Sequence, residues 1–214
     1  MPIDSAQADR TLDRRRILRR GLVIGGAGLL ATSPTPAWAD GKHRRGLVLE
    51  AAMLGDTHEF IPGPDIGSGI VRGSTFYVEG MIFPKGTIPG GVTDWDPYAH
   101  EDLAIGRWFN SGNFIASPDR RQPHRYSNQT HVLGLLTADD FFPEDQISSI
   151  GTESSRTQDT LPSTRAIVGG AGRYIGASGQ ITQFGHGTNS TAVNILGVIT
   201  PAPNFRFIFT FTNR

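Results

Sequence analysis

The chain has no cysteine, which excludes a disulfide scaffold, a thiol nucleophile and any Cys-ligated zinc or iron–sulfur centre. It has no charge excess either, since 20 Lys+Arg stand against 20 Asp+Glu, and a dedicated nucleic-acid binder is disfavoured by that balance. Segments of helical period are few. Also absent are G-x-S-x-G, a Walker sequence and H-E-x-x-H, the usual carriers of hydrolase, nucleotide and zincin chemistry. The run from Val168 to Gly176 invites a dinucleotide reading, but from Gly170 its spacing is G-x-G-x-x-x-G, and no acidic residue near position 190 could meet a ribose. Asn128-Gln-Thr and Asn189-Ser-Thr read as turn chemistry.

What the chain does have is glycine and proline, 27 and 14 residues in 214, between short β-branched or aromatic runs. That pattern favours one all-β domain. The first 39 residues differ from the rest. Arg14, Arg15, Arg16, Arg19 and Arg20 precede an apolar run from Gly21 to Ala31, and Ala37-Trp38-Ala39 closes the segment. A basic region, an apolar run too short for the roughly 20 residues of a membrane span, and a small-x-small end describe an export signal. Asp13-Arg-Arg-Arg-Ile-Leu-Arg19 also resembles the twin-arginine consensus, with Asp13 where Ser or Thr is usual. Cleavage after Ala39 is expected, leaving residues 40–214 as a single exported domain, periplasmic or extracellular, with no membrane association. Residues 1–39 hold six of the 20 basic residues but only three of the 20 acidic ones, so the remainder is weakly acidic and carries no basic face.

Nine strand-like runs follow: 46–54, 74–83, 105–116, 129–137, 146–152, 165–168, 178–184, 192–199 and 204–212. Turn clusters such as Pro62-Gly-Pro-Asp, Pro118-Asp-Arg-Arg and Gly185-His-Gly-Thr-Asn punctuate them as in an antiparallel meander. Closing such a sheet into a barrel removes the edges it would otherwise have to protect. In the last run Phe205, Phe207, Phe209 and Phe211 alternate with Arg206, Ile208 and Thr210, so one face is wholly aromatic. These rings either pack a core or a subunit interface, or line a pocket for a flat apolar ligand. The irregular stretch 84–102 reads as a lid or a loose loop.

Residues 166–181, Ala-Ile-Val-Gly-Gly-Ala-Gly-Arg-Tyr-Ile-Gly-Ala-Ser-Gly-Gln-Ile, resemble the strand, glycine turn and strand of the dirigent proteins and allene oxide cyclases. Asn204 to Phe211 is similar to the closing aromatic strand of the cyclases, and Leu47-Val-Leu-Glu50 to the first strand of these barrels. The resemblance implies an eight-stranded antiparallel barrel, commonly a homotrimer. It also implies a mouth that holds a reactive apolar or phenolic small molecule and steers its cyclisation or coupling without a cofactor, by restraining one conformer and excluding water. Carried over by position, Glu50 alone matches an acidic residue of the family site and is the expected catalytic group. Ala52 stands where the plant cyclases have asparagine. Tyr77, Glu79, Arg107 and His131 are further candidate ligand-binding residues, and no metal site is expected. The competing reading is a non-catalytic secreted barrel that binds an apolar small molecule or serves a structural role. If the face shared by Glu50, Val48, Ala52 and Leu54 is the lumen, desolvation should raise the Glu50 pKa; if it is the exterior, Glu50 is a solvated charge.

Exported protein should begin after Ala39 by intact-mass analysis, and replacing Arg14 and Arg15 by Lys should block passage; a mature species that keeps Met1 would refute the leader.

Overall fold

The computed structural model describes residues 45–64, 73–91, 94–115, 124–136, 141–154, 162–195 and 197–212. Residues 1–39, expected as an export leader, and the expected turn at 118–121 lie outside these residues. Among the described residues nine strands form one antiparallel sheet: β1 (Arg45–Met53), β2 (Glu59–Ile61), β3 (Thr75–Pro84), β4 (Gly106–Ile115), β5 (His124–Leu136), β6 (Phe141–Ser154), β7 (Ser163–Ala171), β8 (Gly179–Ile195) and β9 (Val198–Phe211). From β3 to β9 each strand pairs with its sequence neighbours, and β1 then pairs with both β9 and β3. The sheet therefore closes on itself. β2 continues β1 along β3 after a 3₁₀ turn at Gly55–Thr57, where the Thr57 hydroxyl donates to the Leu54 carbonyl (2.7 Å) and accepts from the Glu79 amide (3.0 Å). Counting β1 and β2 as one broken strand gives the expected eight-stranded ring.

The run expected at 192–199 is instead a hairpin, the end of β8 turning into the start of β9 through a positive-φ glycine, Gly197. Both strands outlast their predicted lengths because two register shifts, after Gly185 and after Thr188, bend the ladder rather than end it. Beyond the bends the hairpin folds over β1. The Asn189 amide donates to the Met53 carbonyl (3.1 Å) and to Asn204 Oδ1 (2.8 Å), while Gly55 N–H donates to Thr191 Oγ1 (2.9 Å).

Strand alternation decides what faces inward. Leu49, Ala51 and Met53 of β1, Val78 and Ile82 of β3, Trp108 of β4, Leu133 of β5, Ile147 of β6, Ile167 of β7 and Ile181 of β8 are buried against Phe205, Phe207 and Phe209. The aromatic face of β9 is thus the lumen wall. It is not left on the exterior needing a subunit to cover it. Tyr174, in the 3₁₀ turn Gly172–Tyr174, stacks on Phe211 at 5.7 Å beside this cluster. Gly172 makes that turn possible: its φ is +61°, and a Cβ there would overlap the Glu144 carbonyl.

A second, smaller cluster lies on the outer surface, where Ala52, Leu54, Met81, Phe83 and Ile88 are buried with Trp95 and Ala104 packed on them. The segment after β3 is therefore neither a loose loop nor a lid over the lumen. It is a strap on the outside of β1 and β3, tied down where Thr188 N–H meets the Gly91 carbonyl (2.9 Å) and Ser190 N–H the Trp95 carbonyl (3.0 Å).

Candidate functional site

The lumen is not uniformly apolar. Asn110, Ser127, Gln129, His131, Ser149, Glu153, Arg165 and Gln183 are all buried on inward-facing positions of β4 to β8. Glu153 is the hub. Its Oε1 accepts from the Asn110 amide (3.1 Å) and the Ser127 hydroxyl (2.8 Å), and its Oε2 from the Gln183 amide (3.2 Å), which in turn accepts from Gln129 (2.8 Å). Arg125 and Arg165 each approach the carboxylate to 4.0 Å. Arg165 also donates from Nε to Ser149 Oγ (3.3 Å) and from Nη2 to the Ser127 carbonyl. Burial raises the cost of ionising Glu153, but Arg125, Arg165, Ser127 and Asn110 outweigh it and hold the carboxyl below its ordinary value. Arg125 also lies over the rings of Phe76 (5.1 Å) and Phe114 (5.9 Å), an arrangement that favours a cation.

Two residues along the same interior faces the lining becomes aromatic. Trp108 and His131 are direct partners across β4 and β5. Trp108 packs against Phe205 and Phe207 at 5.4 and 5.9 Å, and His131 meets Phe207 and Phe209 edge-on at 4.6 and 5.1 Å. Burial, with the Arg165 charge adding to it, drives the His131 pKa down to about 3 despite an opposing contribution from the Ile147 backbone. The imidazole is neutral at physiological pH. Trp108 Nε1, Asn110 Oδ1 and Gln129 Oε1 are buried without a hydrogen bond. Leaving such a group unpaired costs about 1–3 kcal/mol each, so each of these atoms calls for a partner such as a water, an ion or a ligand.

Of the five candidate residues, only His131 reaches this wall. Glu50 faces outward, with Ala52 and Leu54, and corrects both expectations: the face is exterior, yet Glu50 is fully buried beneath the strap. Its Oε2 accepts the Ile88 amide (3.0 Å), and its Oε1 accepts from the Arg206 guanidinium (2.8 and 3.1 Å) with His186 Nε2 at 3.7 Å. Burial raises its pKa, but the Gly86 and Ile88 amides, Arg206 and His186 together lower it. The desolvated, proton-holding carboxyl expected at a lumen is absent at this position, and the geometry is that of a clamp between strap and barrel. Tyr77 and Glu79 also lie on the outer face of β3, alternating with the lumen residue Val78, and bond to each other at 2.8 Å. Burial and then the Glu79 and Glu59 carboxylates push the Tyr77 pKa up to about 12, so it stays protonated. Arg107, one residue before Trp108, points outward into an exposed ion pair with Glu101 (2.9 Å), a contact of little energetic weight.

Glu153, Arg165, Gln129, Gln183 and Asn110 escaped sequence reasoning. In β5 the inward Ser127, Gln129 and His131 alternate with the equally polar Asn128 and Thr130, so period-two hydropathy carries no signal there. Among the described residues, no three His, Asp or Glu side chains converge as a metal site.

The fold and lumen define a closed antiparallel β-barrel with a mixed polar and aromatic interior. No known family profile matches the chain, and no curated protein matches it in sequence. Among solved structures it is similar to a pyocyanin demethylase, at 17% identity and a TM-score of 0.45, over 78% of this chain and 99% of that one. It is also similar to two pterocarpan synthase dirigent proteins, at 12% and 13% identity, TM-scores of 0.48 and 0.47, and 78% of this chain against 90% and 96% of theirs.

Between pH 6.5, the ordinary histidine value, and about 3, an unfolded chain binds a proton that buried His131 refuses, so stability should fall as pH is lowered through that range. The depressed carboxyls Glu50 and Glu153 add their own loss only below their ordinary value of 4.5. His131→Gln should therefore flatten the dependence of Tm on pH between 6.5 and 4.5, with His58, also lowered by burial and then by Arg125, keeping its share. An unaltered slope would mean that the imidazole titrates freely.

Proposed function

We propose that this is an exported barrel whose lumen binds a small aromatic or phenolic molecule and holds it in one conformer for cyclisation or coupling. The observation that supports the reading is the set of unpartnered polar atoms on Trp108, Asn110 and Gln129, next to the packing of Trp108 and His131 on Phe205, Phe207 and Phe209. A planar ligand would bury its faces against those rings and meet those polar atoms at its edge, the usual composition of a small-molecule site. Restraint of one conformer in a water-poor interior is the chemistry such a site offers. A neutral hydrogen-bonding group is at hand in His131. The reading moves the expected chemistry from Glu50 on the outer face to the lumen wall.

A second reading, a non-catalytic carrier, uses the same lumen and is favoured by the Glu153 charge being committed to two arginines and three hydrogen bonds. Assembly as a homotrimer belongs to the proposal as well. It rests on the sequence resemblance and on large apolar side chains left exposed, Val168, Ile175, Val198 and Ile199.

In a thermal-shift screen of planar phenols, a ligand at a hundredfold its Kd adds about 2.7 kcal/mol, which for a domain of this size raises Tm by roughly 5–10 °C. The same ligand should quench tryptophan emission in the native protein and lose most of that quench in Trp108→Phe. Turnover by the native protein, measured as a stereochemically enriched product, separates catalyst from carrier. Failure of every planar phenol to shift Tm, or quenching that survives Trp108→Phe intact, would refute lumen binding. Light scattering at micromolar concentration should give three times the protomer mass, and a monomer would refute the trimer.

A further inference from the structure

The polarity of the lumen network is imposed from one end. An ionised carboxylate can only accept hydrogen bonds, so both amides that touch Glu153 must turn their nitrogens toward it. Asn110 does so at 3.1 Å and Gln183 at 3.2 Å. With its nitrogen committed, Gln183 presents its oxygen to Gln129, which must in turn direct its own nitrogen inward (2.8 Å). Neither Asn110 nor Gln129 can flip without setting oxygen against oxygen. The two loose ends of the relay are therefore both carbonyl acceptors, Asn110 Oδ1 and Gln129 Oε1, buried and unpartnered. They belong to residues directly opposite one another on β4 and β5, a placement that sets their Cβ atoms about 4.5–5.5 Å apart. The next interior pair on the same two strands is Trp108 and His131, with Phe207 packed against both.

We infer that this wall is a subsite for an aromatic ring bearing two neighbouring hydrogen-bond donors, a vicinal dihydroxybenzene. Each hydroxyl would donate to one of the paired oxygens while the ring lies against the aromatic lining. The inference rests on the proposed lumen binding and names its ligand class. It also says what the site rejects. An ionised phenolate or a carboxylate would bring negative charge against two carbonyl oxygens, and a methyl ether would bring an oxygen with no proton to give. A buried polar group left unpaired by the wrong ligand is the strongest form of such discrimination.

The test is a calorimetric titration of the native protein with catechol, its monomethyl ether and its dimethyl ether, repeated on Trp108→Phe to confirm the location by emission. Each methylation should weaken binding about tenfold. Glu153→Gln would deprive Arg125 and Arg165 of their counter-charge and endanger folding, so the relay is probed instead with Gln129→Met, which keeps the length of the side chain and removes the Oε1 acceptor together with the donor to Gln183. In that variant the preference for catechol over the dimethyl ether should shrink about tenfold, with the far-ultraviolet circular dichroism unchanged. If the dimethyl ether binds the native protein as tightly as catechol, or if Gln129→Met keeps the full preference, the paired-acceptor subsite is overturned while lumen binding stands. If none of the three rings quenches Trp108, both fall.

Discussion

β1 closes the sheet, because its two edges pair with strands from opposite ends of the meander, β9 on one side and β3 on the other. Without it the sheet would be an open, twisted meander with two exposed edges. With it there is a lumen, and therefore an inside and an outside for every strand. The register of this one strand assigns the faces: Leu49, Ala51 and Met53 go to the core, Glu50 and Ala52 to the surface under the strap. Because side chains alternate with a strict period of two, a one-residue slip would exchange all of them. The hydrogen bonds that Asn189 and Thr191 donate to the Met53 carbonyl, and that the Gly55 amide donates to Thr191 Oγ1, fix the end of β1 from the β8–β9 hairpin, so closure and register are secured by the same contacts.

Two buried carboxylates illustrate how environment separates chemically identical groups. Both are held ionised by arginine and by hydrogen-bond donors that overcome desolvation. Glu50 spends its oxygens on the Ile88 amide and on Arg206, joining three pieces of chain that are distant in sequence. Glu153 spends its oxygens on side-chain amides and a hydroxyl, and through them sets the direction of a hydrogen-bond relay along the lumen wall. Removing either partner of a pair like these is more costly than never having had the pair, because the remaining charge is stranded away from water.

The aromatic strand shows the same dependence on context. Phe205, Phe207 and Phe209 line a continuous stripe that packs on Trp108 and His131, while the intervening Arg206 turns outward to Glu50. One strand thus supplies the apolar wall of the lumen and the cation that anchors the strap.

The sequence by itself determined the class of fold. Glycine and proline punctuation, runs of period two and the aromatic alternation of β9 are local properties, written in consecutive residues, and they produced the antiparallel barrel with boundaries mostly within a few residues. The short β2 was invisible because three residues carry no period, and the β8–β9 hairpin was misread because its bulges lie in a polar stretch where alternation is weak. His131 was legible as a candidate beside Leu133. Glu50 was legible as a carboxylate among apolar neighbours, but its side of the strand stayed open, since alternation reveals that two faces exist and not which one is enclosed. Which face closes inward depends on pairing between β1 and β9, more than a hundred residues away, and Glu153, Arg165, Gln129 and Gln183 meet because that closure wraps β5 to β8 around a common axis. No window of consecutive sequence contains those contacts, so only the tertiary structure could decide that the polar residues of four different strands would form one wall.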